Sequence, residues 1–144
     1  MRLTIPRKDD RWLIKYLAHE TFPDDTPVNV SRGTWWVIWD QQYPIGFVGL
    51  ERRSRRRGEP HATFVISRVG ILPHARGNGR QRQIVDIMCR EARNRGGTRV
   101  VAQIHCSNIP SLRNFAACGF KPYHAVDGFT WWEFPIETLA VKAA

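Results

Sequence analysis

Two spacings of apolar residues alternate along the chain. Alternating or β-branched apolar runs predict strands at residues 2–6, 34–39, 44–52, 61–72, 99–105, 120–124 and 129–134. Apolar residues three or four positions apart predict helices after Asp9 and Asp10, from the loop near residue 81 to about Arg95, and from Asn108 to Gly119. The apolar residues that share a face are Leu13, Tyr16 and Leu17 in the first helix, Ile84, Val85, Met88, Cys89 and Ala92 in the second, and Leu112, Phe115 and Ala116 in the third. Residues 23–32 contain two prolines and predict an irregular segment or a short helix. This order of elements predicts a mixed sheet flanked by helices.

The most informative segment is residues 69–81, where a strand pattern stops at Pro73 and a helical pattern follows from Ile84. The loop between them carries Gly77 and Gly79. Backbone N–H groups in such a loop and at a helix start lack partners within the chain, and the helix dipole favours an anion there. Glycine also leaves no Cβ between the backbone and a phosphate. The segment therefore predicts a pyrophosphate-binding loop.

Two common phosphate loops are excluded by the residues themselves. The chain contains no Gly-Lys pair, so a Walker loop is absent, and Arg82 stands where the dinucleotide fingerprint needs its third glycine. The remaining pattern, Arg-x-x-Gly-x-Gln over residues 76–81, resembles the acyl-CoA loop of the GNAT superfamily of N-acetyltransferases. In that pattern a small residue is usual at the position of Gln81.

A second motif strengthens this resemblance. The same family carries Asn-x-x-Ala/Ser-x-x-x-Tyr/Phe-x-x-x-Gly-Phe about thirty residues after its loop, and that spacing is matched here by Asn108, Ser111, Phe115, Gly119 and Phe120. The resemblance implies a single GNAT-like acetyltransferase domain over residues 1–144. It also implies an α/β fold with a central mixed, mostly antiparallel, twisted sheet of about seven strands flanked by about four helices.

The resemblance also implies which residues bind the co-substrate, acetyl-CoA. The pantetheine arm would pair with a strand edge ending at Ile71, and the Ile71 N–H would polarise the thioester carbonyl. Asn108 would contact the arm, although it also fits a helix cap. The predicted binding residues are Gly70, Ile71, Arg76, Gly77, Asn78, Gly79, Arg80, Gln81, Asn108, Ser111 and Phe115.

The general acid and base are not determined by the sequence. Phe115 stands where many relatives carry a tyrosine that protonates the leaving thiolate, and Val65 stands where several carry a glutamate base. Tyr123, Ser111 or water are the candidate acids. The favoured base is His61, whose ordinary pKa suits proton transfer near neutral pH. Other candidate bases are Glu51, His105 and Glu133.

These features predict an N-acetyltransferase in which a primary amine attacks acetyl-CoA directly in a ternary complex. The acceptor is open: a small amine, a peptide or protein amine, or the amino group of a charged tRNA. One alternative is a CoA-binding GNAT module without turnover, favoured by Phe115 and Val65. The other is an arginine-rich protein associated with nucleic acid, favoured by the charge distribution.

The net charge of +9 comes from eighteen arginines against four lysines. The densest run contains Arg52, Arg53, Arg55, Arg56 and Arg57. This run is a candidate surface for tRNA or other nucleic acid, but a solvated hairpin loop is favoured because no aromatic residues interleave the charges.

The remaining composition narrows the class of protein. A hydrophobic content of 42% with six tryptophans predicts a folded domain. The three cysteines lack the spacing of a metal site, so we predict reduced thiols, no metal and a cytoplasmic protein. No stretch reaches membrane-spanning length, so no membrane partner is predicted. A homodimer is possible, because the sequence does not determine the oligomeric state.

Overall fold

The computed structural model describes residues 1–53 and 61–136. Its strands are β1 (Arg2–Thr4), β2 (Thr34–Asp40), β3 (Tyr43–Arg52), β4 (Thr63–Ile71), β5 (Arg99–His105), β6 (Lys121–Val126) and β7 (Phe129–Pro135). Its α-helices are α1 (Trp12–Thr21), α2 (Arg80–Asn94) and α3 (Ile109–Ala117), and short 3-10 helices occupy Lys8–Asp10 and Pro73–Ala75. Residues 23–32 form an irregular segment, the first of the two predicted alternatives.

The seven strands form one mostly antiparallel sheet in the order β1-β2-β3-β4-β5-β7-β6. Among the described residues, β4 and β5 form the one parallel pair, and its register joins Thr63, Phe64 and Val65 to the first residues of β5. Two backbone hydrogen bonds show that β3 and β4 are antiparallel. The Leu72 N–H donates to the Ile45 carbonyl at one end of the pair, and the Arg53 N–H donates to the Thr63 carbonyl at the other end. The predicted mixed α/β fold class is therefore confirmed.

The chain forms two compact units. The first comprises Met1–Glu51 and Ser67–Gln81, and the second comprises Arg52–Ile66 and Arg82–Ala144. The prediction of one domain over residues 1–144 stays a prediction.

The core of the first unit lies between α1 and the inner face of its strands. Ile14 and Leu17 are fully buried and belong to one cluster with Val37 and Phe47. Each such side chain contributes about 1.5–3 kcal/mol by leaving water. Tyr16, which the sequence placed on the inner face of α1, is instead 52% exposed. The helix turns 100° per residue, so a face centred on residues 14, 17, 18 and 21 leaves position 16 outside.

The core of the second unit includes one face of α2 and a group of aromatic rings. The predicted inner face of α2 is confirmed, because all five of its residues are buried: Ile84, Val85, Met88, Cys89 and Ala92. On α3 the prediction holds for Phe115, which is 2% exposed, but Ala116 is exposed. The Phe115 ring meets Phe120 edge to face at 5.0 Å, and Phe120 stacks on Phe134 at 5.5 Å.

Candidate active site

The end of β4 lies beside β3 in the first unit. Leu72 donates its N–H to the Ile45 carbonyl of β3 at 2.8 Å. Consecutive N–H groups of an extended strand point to opposite edges, so the Ile71 N–H points away from β3. The pairing of β4 with β5 joins Thr63, Phe64 and Val65, at the beginning of the strand, and does not include Val69 or Ile71. Val69, two residues earlier, presents its N–H to the same edge.

The loop after β4 has an unusual backbone. Three consecutive residues have positive φ: Gly77 at 97°, Asn78 at 56° and Gly79 at 69°. A Cβ built on Gly77 or Gly79 would meet no atom within 4 Å, so open space lies over this backbone. The helix α2 begins immediately afterwards, at Arg80. Turns of this kind aim successive N–H groups into one concavity, and the first N–H groups of a helix have no partner within the helix.

Two arginines of the loop brace it from within. Arg76 donates its Nε to the Ile71 carbonyl at 3.0 Å, which ties the loop to the last residue of β4. Arg80 donates to the Ala75 carbonyl at 2.7 Å and forms an ion pair with Asp40 at 3.0 Å. No motif predicted Asp40 as part of this site, because it lies forty residues from Arg80 in the chain.

This brace leads to a prediction for Asp40→Ala. The variant should lose one of the two anchors of Arg80, and partly exposed ion pairs contribute at most about 1 kcal/mol. Affinity for CoA, measured by calorimetry, should therefore fall by roughly two- to fivefold. The matched control Asp9→Ala, at an exposed carboxylate, should bind CoA as the wild type does. A loss shared by both variants would contradict a specific role for the brace.

Two further predicted binding residues, Gly70 and Gln81, lie near the end of β4 and at the start of α2. Gly70 is buried, and a Cβ on it would lie 2.5 Å from the Phe47 ring. Gln81 is the second residue of α2 and is half-buried. Their contact with acetyl-CoA stays a prediction.

The second motif builds the start of α3 in the second unit. The Asn108 side chain accepts a hydrogen bond from the Ser111 N–H at 3.3 Å, which is the predicted N-cap. Asn108 is exposed, and Ser111 is partly buried. Phe115 is held in the aromatic group described above. Whether these three residues contact the pantetheine arm stays a prediction.

The favoured base and the first candidate acid lie at the beginning of β4. His61 is exposed two residues before the strand starts. The Tyr123 ring covers the Arg99 guanidinium at 5.7 Å, and Arg99 donates to Thr63, the first residue of β4, at 3.2 Å. Ile71, the residue predicted to polarise the thioester, is instead the last residue of that strand.

The remaining candidate bases have partners of their own. Glu133 forms an ion pair with Arg99 at 3.0 Å. His105 accepts the Ser107 N–H at Nδ1, over 3.1 Å, so its proton is assigned to Nε2. Glu51 accepts two bonds from Arg32.

Glu51 also lines a cleft formed by residues that lie far apart in the chain. The cleft has a volume of about 220 Å³ and lies within the first unit. Its walls are residues 27–29, Arg32, Trp35, Glu51, Ser67 and Arg68. These residues come from an irregular segment and three strands, so no sequence spacing connects them. Because Ser67 and Arg68 belong to β4, the cleft adjoins the strand that ends at Ile71.

Two of the three thiols are suppressed by their surroundings. Burial, together with the Asp86 carboxylate beside it, raises the pKa of the Cys118 thiol to about 11. Burial also raises the pKa of the Cys89 thiol well above its ordinary value. Cys106 is exposed. Because the thiolate is the nucleophile, Cys89 and Cys118 are poor acyl carriers near neutral pH.

We expect iodoacetamide at pH 8 to alkylate Cys106 in the folded protein and to leave Cys89 and Cys118 unmodified, as read by peptide mass spectrometry. The Cys118 pKa is raised, so its reaction should grow only as the pH approaches about 11. In denaturant all three thiols should react. Alkylation of folded Cys118 as fast as Cys106 would contradict this assignment.

The arginine run is only partly described. Arg52 is exposed at the end of β3, and Arg53 follows it. Arg55, Arg56 and Arg57 lie outside the described residues. Over residues 1–53 and 61–136 no group of three metal-ligating side chains comes together. In the same part of the chain, no helix combines the length and apolarity needed to cross a membrane.

Known structures share this fold. The chain resembles a Bacillus subtilis acetyltransferase in complex with CoA, with a TM-score of 0.76 at 15% identity over 93% of this chain and 97% of that one. It also resembles the yncA protein of Salmonella typhimurium with its cofactor acetyl-CoA, with a TM-score of 0.72 at 18% identity over 94% and 93%. A ribosomal-protein-alanine N-acetyltransferase from Brucella melitensis gives 0.71 at 16% identity over 94% and 99%.

Comparison with curated protein sequences found no significant match. The family model described as the acetyltransferase (GNAT) family matches residues 3–120, which is most of the chain. That span includes both the loop after β4 and the second motif. The chain therefore belongs to the GNAT acetyltransferase family.

Proposed function

We propose that the protein is an N-acetyltransferase that transfers the acetyl group of acetyl-CoA to a primary amine by direct attack in a ternary complex. The observation that carries this proposal is the loop from Arg76 to Gln81. Its three positive-φ residues leave open space over their backbone and lead directly into a helix N-terminus. Family membership and the CoA and acetyl-CoA complexes of the similar structures support the same assignment.

The residues present fit acetyl-CoA. A pyrophosphate needs converging N–H donors with no side chain in the way, and Gly77 and Gly79 supply that space. A pantetheine arm carries amide groups that pair with a strand edge in the manner of an added strand. The edge of β4 that carries the Val69 and Ile71 N–H groups would receive it.

The proposed reaction assigns one chemical role to a named group of the chain, which is polarisation of the thioester. The Ile71 N–H would donate to the thioester carbonyl oxygen and stabilise the negative charge that develops there. The neutral amine nitrogen forms a bond to the carbonyl carbon, the carbon–sulfur bond breaks, and CoA leaves as thiolate. The amine loses one proton to a base or to solvent.

Direct attack is supported by the state of two of the three cysteines. An acyl-enzyme route needs a thiolate, and the raised pKa values of Cys89 and Cys118 keep both as thiols near neutral pH. Phe115 has no proton to give to the leaving group. The CoA thiolate is a tolerable leaving group near neutral pH, so a water molecule can supply its proton.

The test is an initial-rate assay of thiol release from acetyl-CoA with a panel of primary amines, with products identified by mass spectrometry. Amine-dependent release, an N-acetylated product and intersecting double-reciprocal lines are expected. Parallel lines would indicate a covalent intermediate and contradict direct attack. Tight acetyl-CoA binding without release for any amine would favour the CoA-binding module instead.

A further inference from the structure

Two arginines and one carboxylate line the cleft of the first unit: Arg32, Arg68 and Glu51. Arg32 forms an ion pair with Glu51 through two contacts, at 2.9 and 3.1 Å, and both fall on the same carboxylate oxygen. Arg68 donates Nη1 to the Thr26 carbonyl at 2.8 Å. Among the described residues, no carboxylate pairs with Arg68. The Arg32–Glu51 pair is neutral in sum, so Arg68 leaves the cleft with a net charge of +1.

The Arg68 guanidinium is held in place yet has donors to spare. A guanidinium carries five N–H groups in a planar fork, and the bond to Thr26 uses one of them. The side chain is partly buried, which strengthens its interaction with an anion. Planar guanidinium forks match carboxylates in particular, because two parallel hydrogen bonds form at once. The ligand that suits this position is a carboxylate.

The size of the cleft limits the ligand. Pockets for drug-sized ligands measure about 300–1,000 Å³, and this cleft measures about 220 Å³. A water molecule takes up about 30 Å³ of the liquid, so the cleft holds the equivalent of roughly seven waters. A small amino acid has a similar number of non-hydrogen atoms, whereas a polyamine is long, carries several positive charges and would be repelled by Arg68.

The cleft also lies in the right direction along β4. The loop that would hold the pyrophosphate follows the end of this strand, so the acetyl group at the far end of the arm would point back along β4, towards its beginning. Arg68 is three residues before Ile71, or about 10 Å along the strand. An acceptor anchored at Arg68 can therefore direct its amine towards the thioester.

Resting on the proposed function, we propose that Arg68 makes this cleft selective for a small primary amine that carries a carboxylate, such as a free amino acid. The carboxylate binds the guanidinium fork, and the amino group on the neighbouring carbon is the acetyl acceptor. The Arg32–Glu51 pair also lines the cleft.

The experiment compares free amino acids with their carboxamides, in which an uncharged amide replaces the carboxylate. Hydrogen bonds to charged groups contribute about 1.5–3 kcal/mol, so the wild type should prefer the acid about 10- to 150-fold in kcat/KM. In Arg68→Gln this ratio should fall to within about threefold, with most of the change in KM. Arg68→Lys keeps the charge without the fork and should retain part of the preference. The control Arg7→Gln, at an exposed arginine, should keep the full ratio.

A second measurement separates this inference from the proposed function. Thermal stabilisation of the CoA-loaded protein by amino acids, and by aminoalkyl phosphonates as a second anion, reports binding without turnover. Acetylation of carboxamides as efficiently as acids by the wild type would overturn the role of Arg68 and leave the proposed function standing. Acid-selective stabilisation without acetylation would overturn the proposed function and support the cleft. The absence of both turnover and acid-selective stabilisation would overturn the inference. A preference for phosphonates over carboxylates would also overturn it.

Discussion

Gly79→Glu should lower the affinity for acetyl-CoA at least about 100-fold. The added side chain would enter the open space above the loop, where the pyrophosphate is proposed to bind. Two like charges about 4 Å apart near a protein surface repel by about 4 kcal/mol, which exceeds a hundredfold change in affinity. The carboxylate would also occupy the helix N-terminus itself. Calorimetry with acetyl-CoA measures the loss directly.

The matched control for this prediction is Gly96→Glu. Gly96 also has a positive φ, of 85°, and a Cβ there also meets no atom within 4 Å. The same substitution therefore carries a similar backbone strain, of about 1–2 kcal/mol, but lies after the other end of α2. Gly96→Glu should bind acetyl-CoA within about twofold of the wild type. Equal affinities for the two variants would place the pyrophosphate elsewhere.

Gly46→Val should destabilise the protein by about 3 kcal/mol. A Cβ on Gly46 would overlap the carbonyl oxygen of Gly70 and come within 3.3 Å of the Ile71 Cα. Overpacking costs about 1–3 kcal/mol when side chains can adjust, and a main-chain carbonyl in a strand cannot rotate away. The strands β3 and β4 would have to separate at the residue proposed to polarise the thioester. Urea denaturation gives the loss of stability.

The milder Gly46→Ala should still fold but lose about 100-fold in kcat, because a displacement near 1 Å at Ile71 is enough to disturb the reacting geometry. The control Tyr43→Val lies on the same strand at a side chain that is 62% exposed, and its stability should change by less than about 0.5 kcal/mol. Wild-type stability of Gly46→Val would contradict the close approach of these strands.

The sequence predicted the elements whose signals are local. The strand at residues 99–105 was predicted to the residue, because its apolar residues Val100, Val101, Ala102 and Ile104 follow two glycines and precede a loop. The cap at Asn108 and the inner face of α2 were also predicted, since both depend on neighbours within one or two turns. The exposed positions of Tyr16 and Ala116 were missed because tertiary packing, not propensity, sets how wide each buried face is.

The candidate site likewise combines local features, which the sequence predicted, with contacts between residues far apart in the chain, which it did not predict. The loop at residues 76–81 is contiguous, so its glycines could be recognised in the sequence. The Arg80–Asp40 brace and the charges of the cleft join residues far apart in the chain, and no pattern of spacing predicts such pairs. The proton-transfer groups stay open: Phe115 is buried, and Tyr123 packs on Arg99. The proposed nucleic-acid surface rests mainly on arginines outside the described residues and stays a prediction, as do the dimer and the cytoplasmic location.

Amide hydrogen exchange with and without CoA tests the central claim most directly, because the claim concerns backbone N–H groups. At saturating CoA, peptides covering residues 67–81 should gain protection, with the Ile71 amide and the amides from Gly77 to Gln81 most affected. The β2–β3 turn at Gln41 should not change. Saturation of the protein by CoA with unchanged exchange throughout residues 67–81 would contradict the account.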